Sequence, residues 1–254
     1  MTLLKHGKVC IVGAGPGDPS LLTIRAAELI AQADDLVVDA LVPKAVYRDA
    51  SARVVYVGKR AGRRSVAQRD IEGILIRLAR AGRTVVRLKG GDPSLFGRVG
   101  EEIAALEEAG IEYELVPGVT SALAAPLAVG LSVTERGVAD RLVVMTGHQG
   151  GDGDALPELP PFDPKQTLVL LMALGNLQGL VEQALRRGYP ADLPTAAISK
   201  ATLPEQRWVG ERLEALAMAV AEAALETPVT IIFGAVADRL LPNLARAASS
   251  HGLS

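Results

Sequence analysis

Two short segments, Gly15-Pro16-Gly17-Asp18-Pro19-Ser20-Leu21 and Gly90-Gly91-Asp92-Pro93-Ser94-Leu95, each follow an apolar run with the character of a buried strand and precede a helix-like one. Glycines allow positive φ and let backbone groups approach a neighbour or a ligand closely. Asp18 and Asp92 suit helix N-caps, and Pro19 and Pro93 suit a first helical turn, where the missing N–H would have no partner in any case. A single strand-to-helix turn of this composition is ordinary. Two such corners in one chain point to a stiff, ligand-cradling site.

The rest of the chain repeats a strand–helix alternation. Val9 to Val12 reads as a buried strand, and Leu21 to Ala33 as a helix with Leu22, Leu29, Ile30 and Ala33 on one face. Strands are expected at 35–38, 54–57, 84–88 and 113–116. Between them, Ile71, Ile74, Leu75 and Leu78 mark a helix stopping at Gly82. Ile103 and Leu106, opposed to Glu101, Glu102, Glu107 and Glu108, mark another that stops at Gly110. After Pro117-Gly118 the pattern restarts with a small-residue helix over 120–129 and strands at 141–146, 167–172, 195–199 and 229–233. Helices separate the later strands, one ending at Gly188 and one over 213–225. This rhythm predicts two α/β domains with mostly parallel sheets, 1–116 and 117–245, followed by a flexible tail over 246–254. Residues 149–164, rich in Gly, Asp and Pro, read as an exposed loop.

Composition narrows the function. A chain of 254 residues with 49% hydrophobic content is large enough for one big or two small cores, and a net charge of -2 argues against a nucleic-acid partner. No apolar run reaches the roughly 18 residues that span a bilayer, and the first residues lack a signal-peptide apolar stretch, which together predict a cytoplasmic protein. Cys10, the sole cysteine, lies inside an apolar run and reads as a buried structural thiol. His6, His148 and His251 are scattered without metal-ligand spacing, so no metal is expected.

Three ligand classes could use the first corner. Gly13-Ala14-Gly15 after a strand, with Asp39 closing the next one, imitates a dinucleotide fingerprint, but Asp18 stands where that fingerprint needs a third small residue and Pro19 follows it. An ordinary Rossmann-type methyltransferase also fits this corner, yet leaves the second unexplained.

The third class accounts for both. The chain resembles the tetrapyrrole methylases that use S-adenosylmethionine, and the likeness runs through most of its length. It is carried by Val12-Gly13-Ala14-Gly15-Pro16-Gly17-Asp18-Pro19, then by Asp39-Ala40-Leu41-Val42 and Gly58-Lys59-Arg60. The most specific block is Val85-Val86-Arg87-Leu88-Lys89-Gly90-Gly91-Asp92-Pro93, continuing to Phe96-Gly97-Arg98 and Gly100-Glu101-Glu102. Val116-Pro117-Gly118-Val119-Thr120-Ser121, Thr146-Gly147-His148 and Pro204-Glu205-Gln206-Arg207 extend it.

The resemblance implies a two-domain enzyme, usually a homodimer, with S-adenosylmethionine in a cleft between domains. The implied reaction is C-methylation of uroporphyrinogen III at carbons 2 and 7, giving precorrin-2 by way of precorrin-1. Pro16, Gly90, Gly91, Asp92, Leu95, Thr120, Ser121, Met172 and Ala201 match cofactor-contacting positions. Asp39 and Lys59 match acid–base positions, and Arg98 and Glu101 match positions that hold the tetrapyrrole. By pattern alone Met172 reads as a core residue and Glu101 as an acid favoured at a helix N-terminus.

Physical reasoning agrees with these assignments, because methyl transfer from a sulfonium to an electron-rich pyrrole carbon needs alignment more than a strong nucleophile. A polycarboxylate macrocycle also calls for cations, which the sequence offers at Lys59, Arg60, Arg63 and Arg64, with Arg98 and Arg136 elsewhere. Glu135 replaces the family's usual histidine and Ala173 follows Met172 where glycine is common. Those departures leave open a later precorrin intermediate as substrate, and a non-catalytic nucleotide-binding module on the same scaffold is the reading from a different class.

Overall fold

The computed structural model describes residues 7–58, 66–148 and 156–241. The chain divides into two compact units, Met1–Ser121 and Ala122–Ser254.

In the first unit the expected alternation forms β1 (Val9–Gly13), α1 (Ile24–Gln32), β2 (Asp35–Val38), β3 (Arg53–Tyr56), α2 (Gln68–Arg80), β4 (Val85–Lys89), α3 (Val99–Glu108) and β5 (Tyr113–Val116). All five strands are parallel, in the order β3-β2-β4-β1-β5. Successive strand side chains point to opposite faces, and a parallel sheet is covered on both. Cys10, Val12, Leu36, Val38, Val86 and Leu88 accordingly face α1 through Ala26, Leu29 and Ile30. Val9, Ile11, Val37 and Val85 face α2 and α3 through Ile71, Leu75 and Leu106.

The corners do not run straight into helices, as their composition suggests. Asp18 Oδ1 accepts the Ser20 N–H at 2.8 Å and caps only one 3-10 turn, Pro19–Leu21. The α-helix starts later, where Thr23 Oγ1 accepts the Ala26 N–H at 3.1 Å. After the second corner residues 93–97 form turns, and α3 begins at Val99.

The second unit holds α4 (Ser121–Ala128, beginning at the last residue of the first unit), β6 (Arg141–Thr146), β7 (Gln166–Leu171), α5 (Leu177–Arg186), β8 (Pro194–Ser199), β9 (Arg207–Arg212), α6 (Leu216–Glu222) and β10 (Val229–Phe233). Its sheet, β6-β7-β10-β8-β9, is mixed. Only β6 and β7 pair in parallel; the other three neighbours are antiparallel, where the sequence rhythm predicts a mostly parallel sheet. Chain length explains part of the difference. Residues 200–206, between β8 and β9, are too few for a crossover, whereas β6 and β7 are separated by the long span that a parallel pair requires. β9 was not expected from the sequence.

The described part of that span, 156–164, is no exposed loop. Pro157 and Leu159 are buried. Gln183 on α5 donates to the Pro157 carbonyl at 3.1 Å and accepts the Leu159 N–H at 2.7 Å. The Tyr189 hydroxyl donates to the Pro160 carbonyl at 3.0 Å, and its ring meets Phe162 at 5.2 Å. Side chains from α5 and the turn after it thus satisfy the backbone that a sheet or helix would otherwise satisfy. Among the described residues no helix is long and apolar enough to cross a membrane.

Candidate functional site

Because the strands of the first sheet run one way, their carboxyl ends gather Gly13-Ala14-Gly15, Asp39, Gly58, Gly90-Gly91-Asp92 and Pro117-Gly118 along one edge. β1 and β4 are neighbours, yet α1 after β1 lies on one face and α3 after β4 on the other. Open α/β sheets bind ligands at such a switch point, where adjacent loops leave in opposite directions.

The two corners are joined there. The Gly15 N–H donates to the Gly91 carbonyl at 3.2 Å and the Gly91 N–H donates to the Gly15 carbonyl at 2.8 Å. Gly15 and Gly91 both hold positive φ, +73° and +65°. Gly13, Gly91 and Gly118 pack backbone to backbone: a Cβ on Gly118 would fall 2.3 Å from the Gly91 carbonyl oxygen, and one on Gly13 would fall 2.5 Å from Gly118 N. Part of the glycine requirement is therefore internal.

Asp92 fastens the assembly. Its Oδ1 accepts the Ser94 N–H at 2.8 Å and its Oδ2 accepts the Gly118 N–H at 3.0 Å. Partial burial pulls the Asp92 carboxyl upward, but bonds from the Ser94 hydroxyl and the Gly118 and Ser94 N–H groups outweigh it and hold the group below the usual aspartate range. Thr120 and Ser121 come to the same place: a Cβ on Gly91 would lie 3.8 Å from both Thr120 Cα and Ser121 N, ordinary contact rather than a clash. Pro16, Gly90, Gly91, Asp92, Thr120 and Ser121 are thus drawn around one bridge, with Leu95 in the turn beyond. Gly13 and Gly15 are buried there, whereas Pro16, Gly90, Gly91, Asp92, Gly118, Thr120 and Ser121 are half-buried.

Asp39 follows β2 and is tied into the same edge, its N–H donating to the Leu88 carbonyl at 3.1 Å. The groups that hold its carboxylate received no role in the sequence reading. Arg87, about 1% exposed on β4, donates from one terminal nitrogen to Asp39 Oδ1 at 2.8 Å. Its Nε donates to Glu102 Oε1 at 3.1 Å, and its other terminal nitrogen reaches the Val37 and Leu88 carbonyls, each at 3.4 Å. Lys89 Nζ donates to the same Glu102 oxygen at 3.0 Å and stands 3.9 Å from Asp39 Oδ2. Burial lowers the Lys89 ammonium below the usual lysine range, Arg87 adds to that, and Glu102 and Asp39 oppose it. Glu102, expected on the polar face of α3, is fully buried. The signal for this cluster was present: Arg87 and Lys89 interrupt an otherwise apolar central strand, and buried charges need partners.

Arg98 and Glu101 are brought together, but onto each other. Arg98 Nε and a terminal nitrogen donate to the two Glu101 oxygens, both at 2.7 Å, on the exposed start of α3. The pairing keeps Glu101 below the usual carboxylate range. Arg136 is exposed on the turn closed by the Glu135–Ala139 bridge, and Glu135 itself is exposed. Lys59, Arg60, Arg63 and Arg64 lie outside the described residues.

In the second unit Met172 follows β7 and Ala201 follows β8. Leu171 and Ser199 both pair with the start of β10, opposite Thr230 and Val229, so these two residues share one end of that sheet. Met172 is 54% exposed, where its pattern predicts a core position, and has φ of +54°. Lys200 and Thr202, flanking Ala201, also have positive φ. Such backbone in non-glycine residues is uncommon and concentrates at functional sites. Ala173 is accommodated because Gly147 faces it: a Cβ on Gly147 would fall 2.3 Å from the Ala173 Cβ. Among the described residues no group of three or more His, Cys, Asp or Glu side chains is placed to hold a metal ion.

The family described as tetrapyrrole (corrin/porphyrin) methylases matches residues 8–217. The S-adenosyl-L-methionine-dependent uroporphyrinogen III methyltransferase of Arabidopsis thaliana, a chloroplastic protein, is 42% identical over 91% of this chain and 64% of its own length. The uroporphyrinogen-III C-methyltransferase of Paracoccus denitrificans is 42% identical over 91% of this chain and 82% of its own. The chain spans about half the length of the siroheme synthases it also matches. Among solved structures, the uroporphyrin-III C-methyl transferase of Thermus thermophilus complexed with S-adenosylhomocysteine is 42% identical, covering 90% of this chain and 98% of that one, with a TM-score of 0.77.

Proposed function

The chain belongs to the tetrapyrrole (corrin/porphyrin) methylases, and on that premise we propose that it methylates uroporphyrinogen III at carbons 2 and 7. The product is precorrin-2, reached through precorrin-1, for sirohaem- or cobalamin-type synthesis. The observation that carries this reading is the joining of both Gly-Asp-Pro corners to the Pro117-Gly118 turn at the switch point, with the braced Asp39 on the same strand-end edge.

When bound, S-adenosylmethionine supplies an electrophilic methyl group. The chain's part is to hold the donor against Pro16, Gly90, Gly91, Asp92, Leu95, Thr120 and Ser121; for Met172 and Ala201 a donor contact rests on the family resemblance alone. It also aligns a nucleophilic macrocycle carbon and takes up the proton that the methylated ring releases. Asp39 is the base for that proton, through Oδ2, the oxygen that Arg87 does not occupy. Lys59 is its acid–base partner. Arg98 binds a substrate carboxylate by exchanging it for Glu101, since the guanidinium fork matches either. The protein works as a cytoplasmic homodimer.

Turnover with methyl-labelled donor and uroporphyrinogen III tests the reading: two labelled methyl groups per macrocycle are expected. Labelling of a later precorrin but not of uroporphyrinogen III would move the substrate assignment downstream. Donor binding without transfer to either would overturn the catalytic reading.

A further inference from the structure

The two oxygens of Asp39 are treated differently. Oδ1 takes a 2.8 Å bond from Arg87, whereas Oδ2 has Lys89 Nζ at 3.9 Å, too far for a hydrogen bond although close enough for attraction. What restrains Lys89 is Glu102, whose Oε1 accepts both Lys89 at 3.0 Å and Arg87 at 3.1 Å. The lysine stem is hemmed in, since a Cβ on Gly97 would stand 3.1 Å from Lys89 Cε. Its head group therefore chooses between two carboxylates, Glu102 and Asp39, about an ångström of travel apart.

We propose that Glu102 is a positioning residue for methyl transfer: by drawing Lys89 onto its own Oε1 it leaves Asp39 Oδ2 open to take a proton, while through Arg87 it fixes Oδ1. The proposal rests on the reading of Asp39 as the base. Without Glu102 the lysine closes onto Oδ2, and a base paired on both oxygens is a weaker one. Among the described residues, the charged groups around Asp39 are Arg87 and Lys89 from β4 and Glu102 from α3, and Glu101 on α3 also feels the Lys89 charge. Lys59, after β3, lies outside the described residues.

The signs separate this role from simple bracing. Glu102→Gln releases Lys89 and removes a negative charge, so the acid limb of the kcat–pH profile moves to lower pH, and kcat at neutral pH falls about tenfold. Lys89→Met removes a cation beside the base, so the acid limb moves to higher pH. Both variants keep the KM for S-adenosylmethionine and the affinity for S-adenosylhomocysteine. In the Lys89→Met background, Glu102→Gln then shifts the limb by less than half of what it does alone, because its effect runs through the lysine.

The experiment is the four-member cycle of kcat–pH profiles with uroporphyrinogen III, accompanied by thermal unfolding and S-adenosylhomocysteine calorimetry. An equal shift from Glu102→Gln in both backgrounds, or no shift, overturns the proposal. If Glu102→Gln does not fold, Glu102→Asp takes its place, retaining the charge one methylene farther from Lys89. A lowered acid limb then supports the role and an unmoved one overturns it. If the unaltered protein transfers no methyl group, the functional reading fails first and this inference falls with it; an active protein with unshifted variants overturns this inference alone.

Discussion

Replacing Asp39 with asparagine preserves the outline that Arg87 grips but removes the basic oxygen. Turnover should fall by about 10²–10⁴-fold in a methyl-transfer assay, with S-adenosylhomocysteine affinity unchanged by calorimetry; normal turnover would remove Asp39 from the chemistry. Arg98→Ala should weaken tetrapyrrole binding and spare the donor, and equal loss of both would reject that division of labour. Cys10 sits in the core of β1, and burial, with Glu114 adding to it, pushes its thiol up to about 11. It should resist alkylation at pH 8 in the folded protein and react after unfolding. At this scale the motif residues were legible, because glycine, aspartate and proline each carry a local conformational signature. The pairing partners were not. Glu102 follows Glu101 in sequence, and only the turn of α3 sends one carboxylate to solvent and the other beneath Lys89.

The elements of the first sheet were readable from period and punctuation, since β1, β2, β4 and β5 are short apolar runs and α2 shows its apolar face at helical spacing. β9 escaped because it is an edge strand of mixed polarity, interrupted by Gly210, where a Cβ would fall 2.2 Å from the Leu240 carbonyl oxygen. The packing of 156–164 escaped because its anchors, Gln183 and Tyr189, lie on a later helix and turn. Glycine packing between elements predicts that Gly118→Ala costs about 1–3 kcal/mol in unfolding measurements and lowers donor affinity, since the corners must part to admit the methyl group. At the opposite end of the sheet, Glu114 on β5 accepts from Arg25 on α1 at 2.8 Å and from Lys8 at 3.0 Å. The Arg25 bond, against an upward pull from burial and with help from Lys8, brings the Glu114 carboxyl down to about 2. A lowered folded-state value stabilises above the unfolded value and loses that contribution as pH falls towards the folded one. Glu114→Gln should therefore lower Tm at pH 7, and the difference from the unaltered protein should shrink below about pH 4.

For the whole molecule, two α/β units were legible as repeating rhythm, while strand direction in the second sheet was not, because β8 and β9 form a hairpin that reverses the chain, and β10 then inserts antiparallel between β7 and β8. The assignment of the donor to the switch point of the first sheet governs every other role, including those of Asp39 and Glu102. The most direct test is a crystal structure with S-adenosylhomocysteine. The account predicts the ligand against the carboxyl ends of β1 and β4, touching Pro16, Gly91 and Asp92. A ligand seated away from both corners would contradict it.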